Sequence, residues 1–297
     1  MAIKLRFNGV RGSRPVHQRM LLGYGGNSTS IEFDVDENFY LFLDGGTGLA
    51  ARGRELGEAP PKKEFHFLIT HTHWDHLIGF PFFLPLYNPQ NKVTFYSSAT
   101  SKSSFNQLFW GLHRADNLPV PLSKLQAQIS FKTINPGEEF FINKNVKIAT
   151  YQLNHQGVTL GYRVSKNNAS VCVLTDNAPI ENGNYLGENM SRVKYDLRFE
   201  KKFNDGLVKF IEKSHTVVFD THFNEENLKP DWGHTTPAKA LEFCRHGQVK
   251  NLILFHHAPE DMDTDVDNKL KSIKDKALMA NIGLAAAKEG DVWDISA

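Results

Sequence analysis

Residues 71–76 read His-Thr-His-Trp-Asp-His, three imidazoles and a carboxylate in six positions, directly after the apolar run FHFLIT. Imidazole nitrogens and carboxylate oxygens are suited to zinc, manganese or iron(II). If this stretch is a loop leading into a helix, His71 and His73 face one point, and Asp75 and His76 face a second point nearby. Two histidines do not close a catalytic metal site, which usually takes three protein ligands and a water. Further ligand-type residues stand at the ends of other apolar runs. His155 lies in QLNHQGVTLGYRV, Asp176 follows VCVLT, and His256 follows NLILF. The expected set is His71, His73 and His155 on one cation, and Asp75, His76 and His256 on another, with Asp176 between. Two cations about 3.5–4 Å apart can clamp both oxygens of an in-line displacement. Of the adjacent pair His256 and His257, the first is the expected ligand, because it closes the strand.

The elements that must deliver these residues are short. Strand candidates are IKLRFNG, TSIEFDV, FYLFLD, FHFLIT, KVTFYSS, KIATYQL, GYRVSK, SVCVLTD, TVVFDT and NLILFHH. Four of the apolar runs lead directly into His71, Asp176, Asp220 or His256. If those strands are neighbours, their polar ends converge on one rim, where sheet proteins commonly place sites. A helix is predicted from Thr235 or Thr236 as cap, through Pro237 in the first turn, to Gly247. A second follows from Val266, Leu270, Ile273 and Ala277, which form one apolar face. Many strands with fewer helices, and a hairpin-rich first half, predict sheets covered by helices. Phe82, Phe83, Tyr87 and Trp110 read as core aromatics in preference to a base-stacking pocket. Residues 100–128 fit a lid, a dimer contact or plain packing, and the charged segment 177–214 fits a solvated helix, an RNA contact or a lid.

The chain has 297 residues, 40% of them hydrophobic, with 34 Lys+Arg against 33 Asp+Glu. That length supports a sizeable core, and no linker-like tract divides it, so residues 1–297 are expected to form one domain. A net charge of +1 gives no basic field for long nucleic acid. Cys172 and Cys244 both sit in apolar contexts and read as buried thiols in a reducing compartment. No signal-peptide pattern opens the chain, and no apolar stretch is long enough to span a bilayer, so a cytoplasmic, membrane-free setting is expected.

The motifs resemble the metallo-β-lactamase superfamily, and within it the phosphodiesterase branch that includes ribonuclease Z. HTHWDHLIGFPFF matches the signature motif. FYLFLDGGTGL resembles the strand–Asp–Gly turn, with Asp44 as its aspartate. NHQGVTLGYRV, VLTDNAP, VVFDTHF, WGHTTPAKALEFC and LILFHHAPED follow in the branch's order. The opening FNGVRGSRP and YGGNSTS look closer to bacterial cyclic-nucleotide phosphodiesterase-like members than to tRNA processors. The resemblance implies an α+β, four-layer αββα sandwich with the metals at one edge between two sheets. It also implies hydrolysis by a metal-bridging hydroxide, with zinc first and manganese or iron as alternatives. Asp75 could orient or deprotonate that water. His234, at GHTT, is expected beside the scissile phosphate as oxyanion stabiliser or proton donor. Asp220 could hold an imidazole from behind, and His222 lies close in sequence without an assigned role. The loop Gly9–Ser13, through Arg11 or its backbone N–H groups, could contact phosphate.

A dinuclear phosphodiesterase acting on a small, cyclic nucleotide is therefore the expected function. A ribonuclease Z-like activity on RNA is the alternative. Only twenty residues separate His155 and Asp176, which leaves no room there for a tRNA-binding arm. A lactone or ester hydrolase shares the ligand pattern, but GHTT and the acid-ended VVFDTHF favour the phosphodiesterase branch. A non-catalytic scaffold has no need of all seven ligand positions. A homodimer is compatible with the sequence.

Overall fold

The computed structural model describes residues 3–98, 105–112, 124–181, 183–187 and 197–296. Its strands form two seven-stranded sheets. The first sheet runs β14-β1-β2-β3-β4-β5-β6 and the second β13-β12-β11-β10-β9-β8-β7. The first contains β1 (Ile3–Gly9), β2 (Ser30–Asp34), β3 (Phe39–Leu43), β4 (Glu64–Leu68), β5 (Lys92–Ser97), β6 (Gln128–Thr133) and the returning β14 (Val292–Ile295). The second contains β7 (Glu139–Asn143), β8 (Val146–Leu153), β9 (Thr159–Lys166), β10 (Ala169–Leu174), β11 (Thr216–Asp220), β12 (Asn251–Phe255) and β13 (Gly283–Ala286). Each sheet is antiparallel in one half and parallel in the other, so hairpin pairing is not confined to the first half of the chain.

Three apolar layers follow from the two-residue period of a strand. In β3, Phe39, Leu41 and Leu43 point between the sheets, while Tyr40 and Phe42 point outward. In β12, Ile253 and Phe255 face inward, and Leu252 and Leu254 face the helices. Strands buried on both faces read as unbroken apolar runs, which is why these central strands stand out in the sequence. Outside the second sheet lie α3 (Leu197–Ile211), α4 (Pro237–His246) and α5 (Asp263–Met279). Outside the first lie α1 (Thr47–Leu56), α2 (Phe105–Leu112) and the short turns around Phe80 and Phe83. The architecture is the expected α+β sandwich of four layers, αββα.

Local signals account for the helix ends. Thr236 caps α4, accepting from the Lys239 N–H, with Pro237 in the first turn and Gly247 after the last. Helix α5 buries Val266, Ile273 and Ala277 on its apolar face, and it also buries Lys269. The outer layer of the first sheet is built of phenylalanines. Phe83 belongs to it as expected, and Tyr87 is tied to the Pro81 carbonyl, but Phe82 and Trp110 are exposed. Of segment 100–128, Phe105 and Phe109 carry α2 into the same layer, and residues 99–104 and 113–123 lie outside the described residues. In segment 177–214, α3 packs Leu207 and Ile211 inward, and residues 182 and 188–196 lie outside the described residues. Cys172 and Cys244 are buried, unbridged thiols in the layer under α3–α5. Among the described residues, no helix is long and apolar enough to cross a membrane.

The ring of Phe67 is fully buried and lies 5.1 Å from Phe42, 5.1 Å from Phe80 and 5.2 Å from Phe95. Phe67→Ala is expected to destabilise the fold by about 3–5 kcal/mol, read from the midpoint of a urea unfolding curve.

Candidate metal centre

The strands that end in ligand-type residues do not all share one sheet. β10, β11 and β12 are parallel neighbours in the second sheet, whereas β4 belongs to the first. The site therefore sits where the C-terminal ends of two facing sheets meet. Three strand-end residues, Asp44, Asp176 and His256, take left-handed backbone angles, with φ of 57°, 55° and 59°. Aspartate and histidine tolerate this region better than most side chains, and strain of this kind concentrates at functional sites.

After β4 the chain passes through His71 and His73 and turns through a single 3₁₀ turn, Trp74–His76. His71, His73, His155 and Asp176 form one group whose candidate ligand atoms lie within 4.8 Å of one another, and Asp75, His76 and His256 form another. Asp176 faces both. Its Oδ1 is 3.8 Å from His71 Nε2 and 3.7 Å from His155 Nε2. Its Oδ2 is 3.2 Å from His76 Nε2 and 3.3 Å from His256 Nε2. Asp75 Oδ2 lies 3.2 Å from His76 Nε2 and 3.5 Å from His256 Nε2. Three of these buried nitrogens, Nε2 of His71, His76 and His256, have no hydrogen-bond partner of acceptable geometry. Buried imidazole nitrogens left unpartnered around two carboxylates fit a divalent cation better than any arrangement of protons.

Groups behind the site orient these rings. Asp44 Oδ2 accepts from His76 Nδ1 at 2.7 Å, while the Thr70 N–H and hydroxyl also bond the Asp44 carboxylate. Thr70 Oγ1 lies 3.0 Å from His71 Nδ1, and His155 Nδ1 lies 3.1 Å from the Gly233 carbonyl oxygen. Bonds on Nδ1 leave Nε2 for the centre, the usual arrangement of a metal-binding histidine. Two glycines let the chain close over the rings. A Cβ on Gly12 would stand 2.4 Å from the His256 ring, and one on Gly233 would stand 2.2 Å from His155 Nδ1.

The electrostatics favour positive charge. Burial alone would favour neutral carboxyl groups, yet His256, His76 and His71 hold Asp176 well below the usual carboxylate range. Burial works against a charged His76, and Asp75, Asp176 and Asp44 outweigh it, raising that imidazole well above its ordinary value. Burial pushes His155 down to about 4, and lowers His71 and His73 as well, keeping them in the neutral form that binds metals.

His234 stands over both groups, with its ring centroid 5.2 Å from His155 and 5.2 Å from His256. Its Nδ1 bonds Asp220 Oδ2 at 2.6 Å. Burial opposes the imidazolium there, but Asp220 prevails and raises His234 above its ordinary value. Beside it opens a cavity of about 280 Å³, lined in part by Pro179, Asn184, Leu228, Asp231 and Thr235. His257 turns away, its Nε2 lying 2.9 Å from the Ala287 carbonyl oxygen.

Residues 42–257 match the family described as the β-lactamase superfamily domain. The chain belongs to the β-lactamase superfamily. Ribonuclease Z of Oenococcus oeni, at 24% identity, aligns over 92% of this chain and 90% of its own. The metallo-β-lactamase fold protein YhfI of Bacillus subtilis superposes with a TM-score of 0.68 at 14% identity, covering 98% of each chain. A diphosphatase of the PhnP family superposes with a TM-score of 0.66 at 14% identity, covering 99% of this chain and 98% of that one. The fold is thus the metallo-β-lactamase fold, and the chain is a hydrolase of this superfamily.

One expectation is corrected. Arg11 does not face a substrate. It is fully buried, and its guanidinium donates to the carbonyls of Leu21, Gly25, Ala258 and Asp261. An arginine so engaged pins the loop after β12 to the N-terminal loop and has no fork left for phosphate. The neighbouring Ser13 N–H donates to Asp75 Oδ2 at 2.8 Å, so this loop supports the site from outside. Asp44, which the sequence marks only as the aspartate of a strand–Asp–Gly turn, has a partner that the sequence does not supply, His76.

Asp44→Ala removes that tie. It is expected to weaken divalent-cation binding by about 10- to 100-fold, measured by chelator competition, with the far-ultraviolet circular dichroism unchanged.

Proposed function

We propose that this hydrolase is a divalent-metal-dependent phosphodiesterase whose substrate is a small, nucleotide-sized phosphodiester, cyclic nucleotides being the first candidates. The observation that carries the reading is the Asp220–His234 pair, placed midway between the two ligand groups. In this reading His71, His73 and His155 would hold one cation and Asp75, His76 and His256 a second, with Asp176 within reach of both groups. Bound cations, zinc first and manganese or iron(II) as alternatives, would supply Lewis acidity and a water of lowered pKa.

The protein's own groups supply the rest. Asp220 fixes a proton on His234 Nδ1 and favours the imidazolium, which leaves an Nε2–H to donate toward the centre. An alkoxide leaving a phosphodiester needs a proton, and an imidazole near neutrality is suited to give one. Asp75, held by the Ser13 N–H, is positioned to accept a hydrogen bond from the attacking water. The cavity beside His234 lies just under the roughly 300 Å³ at which ligand pockets usually begin, which suits a compact group. Likeness to ribonuclease Z along most of the chain supports the second reading, cleavage of RNA.

The test is hydrolysis of bis(p-nitrophenyl) phosphate by zinc- and manganese-loaded protein, followed by cyclic nucleotides against short RNA. Turnover with neither metal would overturn the phosphodiesterase reading. Asp176→Ala is expected to lose bound metal and turnover together, read by elemental analysis and assay. His234→Ala is expected to keep its metal and lose about 10²- to 10⁴-fold in rate on a phosphodiester with a poor leaving group. The loss should shrink with nitrophenolate, which leaves without needing a proton.

A further inference from the structure

His222 has no part in the scheme above, yet it is held with care. Its backbone N–H donates to Asp220 Oδ1 at 2.8 Å. Its carbonyl, together with that of Thr221, accepts from Lys269 Nζ at 2.6 and 2.7 Å. Lys269 itself is buried in α5 and is balanced by Asp261 Oδ2 at 2.6 Å. A buried lysine spent on two loop carbonyls is a costly support for a mere turn. What it fixes is the His222 ring, stacked on His234 with centroids 4.5 Å apart and planes within 18°. The His222 Nδ1 is buried without a hydrogen-bond partner. One nitrogen from each of His222, His234 and His256 lies within 4.8 Å of the others.

Resting on the phosphodiesterase reading, we propose that His222 is a second substrate-binding imidazole, which donates a hydrogen bond to a phosphoryl oxygen of the substrate beside His234. Of these rings His256 is assigned to a cation and His234 Nδ1 is taken by Asp220, whereas His222 Nδ1 has no hydrogen-bond partner, and an imidazole N–H beside His234 suits an anion. With its Nδ1 so committed, the His234 ring turns its Nε2 toward the same space. His222 and His234 are thus paired through one acid. Asp220 Oδ2 holds the ring of His234, and Asp220 Oδ1 holds the backbone of His222.

The experiment is calorimetric titration of inorganic phosphate into metal-loaded wild type, His222→Phe and His222→Gln. Steady-state kinetics on bis(p-nitrophenyl) phosphate and metal content are measured alongside. His222→Phe is expected to keep full metal occupancy, bind phosphate at least about tenfold more weakly, and raise KM. His222→Gln, which retains an N–H donor, should recover part of the affinity. Unchanged phosphate affinity in His222→Phe overturns the proposal while leaving the phosphodiesterase reading intact. Loss of one metal equivalent also overturns it, since His222 would then be a ligand. A wild type that neither binds phosphate nor turns over the diester removes both readings. If His222→Phe does not fold, ¹⁵N-histidine spectra of the wild type decide instead. Two site imidazoles beyond the metal-bound set should shift when phosphate is added, and a single shifting ring overturns the proposal.

Discussion

The structure is organised around a buried carboxylate that must face two ways. Asp176 presents one oxygen to His71 and His155 and the other to His76 and His256. Its charge is out of water at the seam between two sheets, and burying a carboxylate is tolerated only when positive charge or donors surround it. Imidazoles from both sheets supply that surrounding. The sheets must therefore hold their relative placement to within fractions of an ångström, and the inter-sheet core of interdigitated Phe, Leu, Val and Ile side chains is what holds it.

That requirement explains the second ring of contacts. Asp44 orients His76, the Gly233 carbonyl orients His155, and Asp220 orients His234. Farther out, two buried cations stitch the loops that carry these residues. Arg11 gathers carbonyls from the N-terminal loop and the loop after β12, and Lys269 gathers carbonyls after β11. Their aliphatic stems and fixed charges replace hydrogen bonds that strand ends cannot make among themselves. The left-handed backbone at Asp44, Asp176 and His256 fits the same logic. Each strand turns sharply where its last residue must reach the seam.

Much of this was legible from residue types. The apolar runs of β3, β4, β10, β11 and β12 mark strands covered on both faces and read as sheets covered by helices, and the family resemblance made of them an α+β sandwich. The cap, first turn and end of α4, and the apolar face of α5, are equally plain. Strands β6, β7, β13 and β14 were not legible. They are the edge strands of the two sheets, with half-exposed or polar residues, and for β6, β13 and β14 the pairing partner also lies 30 or more residues away, whereas β7 pairs in a hairpin with β8. Lys269 was hidden for the same kind of reason. It stands three residues after Val266 and four before Ile273, on the buried stripe of α5, and its charge masks that position until the Thr221 and His222 carbonyls and Asp261 are seen to receive it.

What the sequence determined alone was the inventory: which side chains can bind a cation, and which apolar runs end in them. Local chemistry suffices for that, because ligand type and strand period are properties of neighbouring residues. Tertiary structure decided which of them meet. It sent Arg11 inward to carbonyls, Asp44 onto His76 and His222 against His234. Those outcomes depend on how two sheets pack face to face, and packing is set by contacts between residues far apart in sequence, as in the Arg11–Asp261 bond across 250 positions.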